Sequence, residues 1–285
     1  MDDALVRIAR GCHAPADQAD ELAGRCIAAL ATSAPDSVIA SVTAARLHGL
    51  WLPDDLPATV HIATASLGVA GRAMTRTRRP EFVAHRFQLR PADIARVDGV
   101  AVTSLARTWR DLARELSLPD LVAAGDSALR LGVTAEQLRD VIDAGSQRHR
   151  ANRARAALAL LDKRSRSRPE SHLRVAISGP DMPRFEVNES VYREEGGWLA
   201  EPDLSLAPAR IALEYQGADH AGLPRMRKDI TRFTDLRRAH WLVLPFGPAE
   251  VFSRPWQIKP ELRQLIAERA PHVLPARRGR RSMAA

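Results

Sequence analysis

The 285-residue chain is short of cysteine, short of lysine and without a long apolar run. Its two cysteines, Cys12 and Cys26, lie close together near the N-terminus, too few to staple a chain of this size. They read as two small buried thiols. No apolar stretch approaches the roughly 18–20 residues that a spanning helix needs. Met1 to Arg10 carries Asp2 and Asp3 and has no apolar segment of signal-peptide length. The sequence therefore predicts a cytoplasmic protein with no membrane partner. What is present is a globular balance of 45% hydrophobic and 27% charged residues, enough for one large domain or two small ones.

Lysine is nearly absent: Lys163, Lys228 and Lys259 are the three, against 42 basic residues in all. The charge is also unevenly placed. Residues 1–150 hold 18 Arg and 18 Asp plus Glu, a net of zero. Residues 151–285 hold 24 basic and 16 acidic residues, so the whole +8 lies there. A basic half suits a polyanionic partner such as DNA; a solvated basic surface is the plain alternative.

Periodicity gives a mixed α/β chain with a boundary near residue 165. Leu5, Ile8 and Ala9 predict one face of a first helix, and 20–30 a second. Ser41 to Leu50 predicts a short helix capped by Ser41 and ended by Gly49, either the second helix of a helix-turn-helix or a plain packing helix. Strands are expected at 59–63, 81–87 and 97–104, and helices at 105–116, 119–131, 135–144 and 151–163. Between the first two strands run Arg72, Arg76, Arg78 and Arg79, an exposed loop or a DNA-contacting wing. The basic, Ser-rich stretch 162–168 marks the boundary. The expected organisation is an α+β region over 1–145, a helix and basic linker over 146–166, an α/β domain with a central mixed sheet over 167–256, and a C-terminal helix with a basic tail over 257–285.

The second half carries the chemistry. Ser167 and Glu170 form a capping box that opens a helix, so Glu170 has a structural task beside any catalytic one. A turn at Pro208-Ala209 makes paired residues sum to 417, which sets Asp203 opposite Glu214. Alternation puts Glu214 and Gln216 on one face and Ile211, Leu213 and Tyr215 on the other. Two facing carboxylates in an apolar setting repel. A hard divalent cation, an arginine partner or a solvent-facing surface would each relieve that cost. The helix predicted over 223–239 leaves Arg225, Lys228 and Arg232 on one ridge, suited to flanking phosphates. Arg277, Arg278, Arg280 and Arg281 read as a basic tail.

Two resemblances follow from these residues. Pro202-Asp203, Glu214-Tyr215-Gln216-Gly217-Ala218-Asp219-His220 and Lys228-Asp229-Ile230-Thr231-Arg232 resemble an uncharacterised domain family related to the very-short-patch repair endonucleases of the PD-(D/E)XK superfamily. The resemblance covers about residues 165–255. It implies a restriction-endonuclease-like fold that hydrolyses phosphodiesters with Mg²⁺ or Mn²⁺ held by Asp203 and Glu214. It also gives Glu170 a role in orienting water or a second metal, and His220 a role as acid or base. The third core position, often Lys, is Gln216, which is neutral and positions water rather than deprotonating it. In the first half, Ser41 to Pro53 and the string Gly99-Val100-Ala101-Val102-Thr103-Ser104 … Arg107-Thr108-Trp109-Arg110-Asp111-Leu112-Ala113 resemble the winged-helix region of abortive-infection antitoxin-type regulators. That implies promoter DNA, and a cognate toxin or other protein, as partners. A nuclease, a non-enzymatic regulator with a decayed nuclease fold, and a structural or toxin-neutralising protein whose charge bias is incidental are therefore the expectations.

Overall fold

A computed structural model describes residues 5–9, 12–15, 21–65, 82–144, 148–217 and 233–275. The chain forms two compact units, Met1–Leu161 and Asp162–Ala285, both mixed α/β. The predicted sites Arg72, Arg76, Arg78, Arg79, His220, Arg225, Lys228 and Arg232, and the basic tail, lie outside the described residues.

The first unit opens with a hairpin, not the expected helix: β1 (Leu5–Ala9) pairs antiparallel with β2 (Cys12–Pro15). β-branched Val6 and Ile8 favour the extended chain at this spacing. Helix α1 (Leu22–Ala31) follows, then β3 (Ser37–Ile39), α2 (Ser41–Leu47), β4 (Val60–Ala65) and β5 (Phe82–Phe87). The single strand expected at 97–104 is two, β6 (Ile94–Val97) and β7 (Val100–Thr103). Asp98 and Gly99 split them with φ of 49° and 78°. Those are the two positive dihedrals of a two-residue hairpin turn, and Val97 duly faces Val100. The five strands order as β5-β4-β3-β7-β6. The β4–β5 pair is parallel. A hairpin wing needs antiparallel neighbours, so these two strands do not make one.

One face of this sheet packs Ile39, Val60, Ile62, Val100 and Val102 against Cys26, Ala29 and Ala44 of α1 and α2. The other carries Val38, Ala63, Phe87 and Leu89. Helix α2 is not capped by Ser41. Ala40 is its extended N-cap, and Ser41 is the first helical residue with φ of 50°. Its C-terminus closes as expected at Gly49 (φ 73°), where Gly49 N–H donates to the Arg46 carbonyl and Leu50 N–H to that of Ala45.

Helices α3 (Leu105–Leu112), α4 (Leu118–Arg130), α5 (Ala135–Asp143) and α6 (Arg148–Leu158) complete the unit. Trp109, fully buried, donates its indole N–H to the Leu121 carbonyl at 2.9 Å. Gly125 is required beside it, because a Cβ there would stand 2.7 Å from that indole nitrogen and 2.5 Å from Leu161.

The second unit opens with α7 (Arg168–Ile177) and then β8 (Glu186–Val187). A separate hairpin of β9 (Val191–Tyr192) and β10 (Trp198–Ala200) follows. The chain continues through β11 (Leu204–Leu206), β12 (Ile211–Tyr215), a helical segment at 233–238, β13 (Leu242–Phe246) and α8 (Ile258–Arg269). The main sheet orders as β13-β12-β11-β8, with β12–β13 parallel and the other pairs antiparallel, a mixed sheet. Ile211, Leu213 and Tyr215 meet α7 and α8 on one face; Ala212 meets Val243, Leu236 and Trp241 on the other.

Residues 162–166 are an ordered part of this unit. Arg164 bonds Asp162, Glu186 and Glu189 at 3.0 to 3.2 Å. Its hydrogen bonds hold the Asp162 carboxyl below its usual range although burial acts the other way.

Candidate functional site

The β11–β12 ladder pairs Leu204 with Leu213, Ser205 with Ala212 and Leu206 with Ile211, each summing to 417. The connection is longer than a two-residue loop: a 3₁₀ turn at Ala207–Ala209 is followed by Arg210 at φ 49°. The longer turn preserves the register because Arg210 takes up the reversal in a left-handed conformation. One step beyond the ladder, Asp203 has left the strand. Its Oδ2 accepts the N–H of Tyr215 at 2.7 Å, so its carboxylate closes on the peptide that joins Glu214 to Tyr215. Glu214 itself is 2% exposed, on the face of β12 opposite Leu213. Gln216 stands past the end of β12 and is exposed, its N–H donating to the Phe246 carbonyl at 2.8 Å.

Glu170 sits in the first turn of α7, buried, and both its oxygens are hydrogen-bonded. Oε1 accepts the Ser167 hydroxyl at 2.8 Å. Oε2 accepts the Arg166 N–H at 2.9 Å and the Asn188 side-chain amide at 2.7 Å. Ser167 caps the helix as expected, its hydroxyl accepting the Glu170 N–H at 3.4 Å, while the Glu170 carboxylate reaches beyond the helix start to Arg166 and Asn188. Asn188 is the residue that sequence reasoning missed. At φ 45° its side chain reaches Glu170 while its own N–H donates to the Asp203 carbonyl at 3.0 Å. It therefore ties the first helix to the start of β11. Asparagine tolerates the left-handed region, which is the one local signal it carried.

The second unit also exposes aromatics. Tyr192 and Trp198 face each other across β9–β10, 63% and 59% exposed.

In the first unit, the antitoxin-like string resolves into structure. Arg107 bonds Asp111 at 2.8 Å and Asp93 at 3.0 Å, with all three side chains at most 7% exposed. Arg110 reaches Asp111 at 3.0 Å and Arg90 reaches Asp93 at 2.8 Å. The Arg107 guanidinium also lies 5.2 Å from the Phe87 ring centre. Burial pushes the Asp93 carboxyl up, but its bonds to Arg90 and the nearby Arg107 outweigh this and hold it below its usual range. Thr103 and Thr108 join their hydroxyls at 2.6 Å.

A second constellation lies on the sheet of that unit, and the sequence reading passed over it. His61 of β4, His85 of β5 and Glu115 after α3 place one ligand-type atom each within 4.8 Å of one another. Among the described residues this is the group of three or more His, Cys, Asp and Glu side chains that closes so tightly. Nothing local marked it, because the three positions meet only through parallel strand pairing and the return of a helix.

No helix among the described residues is long and apolar enough to cross a membrane. Two uncharacterised proteins of Mycobacterium tuberculosis, one from each of two strains, are similar to this chain. Both are 28% identical over 256 residues, 89% of this chain and 89% of their own. Neither unit alone holds 256 residues, so the likeness runs across both. No family model and no solved structure matches the chain.

Proposed function

We propose that this protein acts on DNA and that its second unit hydrolyses phosphodiesters at Asp203 and Glu214. The observation that carries the reading is the Asp203 carboxylate bonded at 2.7 Å to the Tyr215 N–H, beside a Glu214 that is 2% exposed. This sets the Asp203 carboxylate at the main chain of the residue after buried Glu214, and burying a charged carboxylate is costly. Hard carboxylate oxygens fit Mg²⁺ or Mn²⁺, and Asp203 and Glu214 are the residues that would hold it. When bound, such an ion polarises the phosphoryl group and supplies hydroxide at neutral pH.

The chain's own residues do the positioning. The Tyr215 N–H fixes the Asp203 side chain, and Asn188 fixes its main chain against the capped start of α7. Gln216, exposed at the strand end, orients water. The exposed Tyr192–Trp198 pair supplies aromatic faces on which bases can stack. The restriction-endonuclease-like fold is our reading of this unit, supported by the α7-first order and the mixed sheet. DNA docking by the first unit, as a winged-helix-like region, rests on the sequence resemblance.

A second reading is favoured by one observation: the third core position is Gln216, with no base there. On that reading the protein is a non-enzymatic, antitoxin-like DNA-binding regulator. Supercoiled plasmid with Mg²⁺, Mn²⁺ or EDTA, beside Asp203→Ala, separates the two. We expect metal-dependent nicking that falls by at least about a hundredfold in the variant, as expected when a metal ligand is lost. Absence of nicking, with equal gel shifts by both proteins, assigns the regulator.

A further inference from the structure

We infer that His61, His85 and Glu115 form a transition-metal site in the first unit, of the two-histidine, one-carboxylate kind that takes a Zn²⁺-class ion. The site is independent of Asp203 and Glu214.

The argument begins with spacing. His85 Nε2 lies 3.1 Å from His61 Nδ1, and Glu115 Oε1 lies 3.8 Å from that same nitrogen. Metal bonds of about 2.0–2.1 Å put neighbouring tetrahedral ligands roughly 3.3 Å apart. The two separations from His61 therefore bracket the one that a single ion requires, and all three donors lie within 4.8 Å of one another. Two nitrogens and one carboxylate leave a fourth position for water or a ligand.

The fold holds these donors rigidly. On the parallel β4–β5 ladder His85 pairs with Ala63, so His61 and His85 are diagonal neighbours on the face that carries Phe87. His61 is clamped through its main chain: its N–H donates to the Thr43 hydroxyl and its carbonyl accepts the Ala40 N–H, both at 2.9 Å. His85 stacks on Phe87 with ring centres 5.1 Å apart. Both histidines are buried residues, with the His61 side chain 10% exposed, whereas Glu115 lies at the surface with its side chain 23% exposed.

A supporting shell of the kind that tunes metal ligands is also present. The Thr59 hydroxyl lies 3.3 Å from His61 Nε2, which leaves Nδ1 to face His85 and Glu115. The Ser41 hydroxyl donates to Glu115 Oε1 at 2.7 Å. Ser41 does so from φ 50°, a conformation that a β-carbon-bearing residue adopts at a cost. The strain is thus spent on aiming one hydroxyl at the carboxylate. Arg46, the nearby cation, has its guanidinium turned to the Leu56 and Pro57 carbonyls at 2.7 and 2.9 Å.

The test uses the full chain, stripped with a chelator and titrated with Co²⁺ and then Zn²⁺. We expect one Co²⁺ per chain with the intense visible absorption of a four-coordinate, nitrogen-ligated ion, displaced by Zn²⁺. An all-oxygen, six-coordinate ion at Asp203 and Glu214 gives only a weak band, so the two sites are read separately. Glu115→Gln keeps an acceptor for Ser41 and should lower Zn²⁺ affinity by at least about tenfold. His85→Asn should abolish the intense spectrum. A Co²⁺ spectrum unchanged from the aquo ion in folded protein overturns the proposal. So does an intense spectrum that survives Glu115→Gln at undiminished affinity, a variant whose fold circular dichroism verifies. In the first case the pair is a structural imidazole–imidazole hydrogen bond; in the second the ion is held without Glu115 and the three-ligand site is wrong.

Discussion

In the first unit the charged residues of the most distinctive sequence string are paired: Asp111 bonds Arg107 and Arg110, and Arg107 also meets Asp93, which Arg90 bonds from the surface. In the second, the Glu170 and Asp203 carboxylates accept from backbone, hydroxyl and amide donors, and Glu214 is buried on the neighbouring strand. Opposite charges four residues apart on a helix close on each other and are finished. On the proposed reading, Asp203 and Glu214 at one hairpin leave a demand for a cation. A motif's distinctiveness therefore says less about chemistry than whether its charges cancel locally.

Three experiments would break or sharpen that contrast. The largest expected effect is Asp111→Ala, which strands Arg110 and half of Arg107 in a buried setting. We expect about 3–5 kcal/mol of destabilisation of the first unit. Chemical denaturation followed by far-UV circular dichroism and intrinsic tryptophan fluorescence measures it. A loss under 1 kcal/mol would show that the network is not the structural core claimed for it.

Next is Glu170→Ala, which removes the acceptor for Arg166 N–H, Ser167 and Asn188. The expected cost is about 1–3 kcal/mol, read by urea melting of the second unit. Normal stability with abolished nicking would instead make Glu170 part of the chemistry.

The smallest effect is pH. Burial pushes the His48 imidazole below its ordinary value near 6.5, outweighing the bond to the Thr103 carbonyl, which acts the other way. Between the two values the unfolded chain holds the proton and the folded one does not, so stability falls as pH drops below about 7 toward the folded value. The carboxylates held low, Asp93 and Asp162, lose their contribution only in the range below their ordinary value near 3.8. A chelator-treated sample melted at pH 7 and 5.5 should therefore show the first unit softening, less so in His48→Gln.

Much of this was legible from the sequence. The helices at Leu105–Leu112, Leu118–Arg130 and Ala135–Asp143, the Gly49 stop and the Ser167 N-cap follow from local rules of periodicity and φ preference. The 417 register, by contrast, was reached from a two-residue loop that the structure replaces with a 3₁₀ turn and a left-handed Arg210. The first segment was misread because Leu5, Ile8 and Ala9 fit a helical stripe, while β-branching and a neighbouring strand decided for a hairpin. Ser41 looked like a cap by its letter, but its hydroxyl turns to Glu115, 74 positions away.

The sequence by itself determined where the chain turns, caps and alternates, because those choices are settled within a few residues. Only the tertiary structure decided which distant side chains meet. Asn188 bridging Glu170 to Asp203 is one case. His61 beside His85 and Glu115 is another, assembled by a parallel strand pair and a returning helix. Such meetings depend on strand order and direction, which no local pattern of residues encodes.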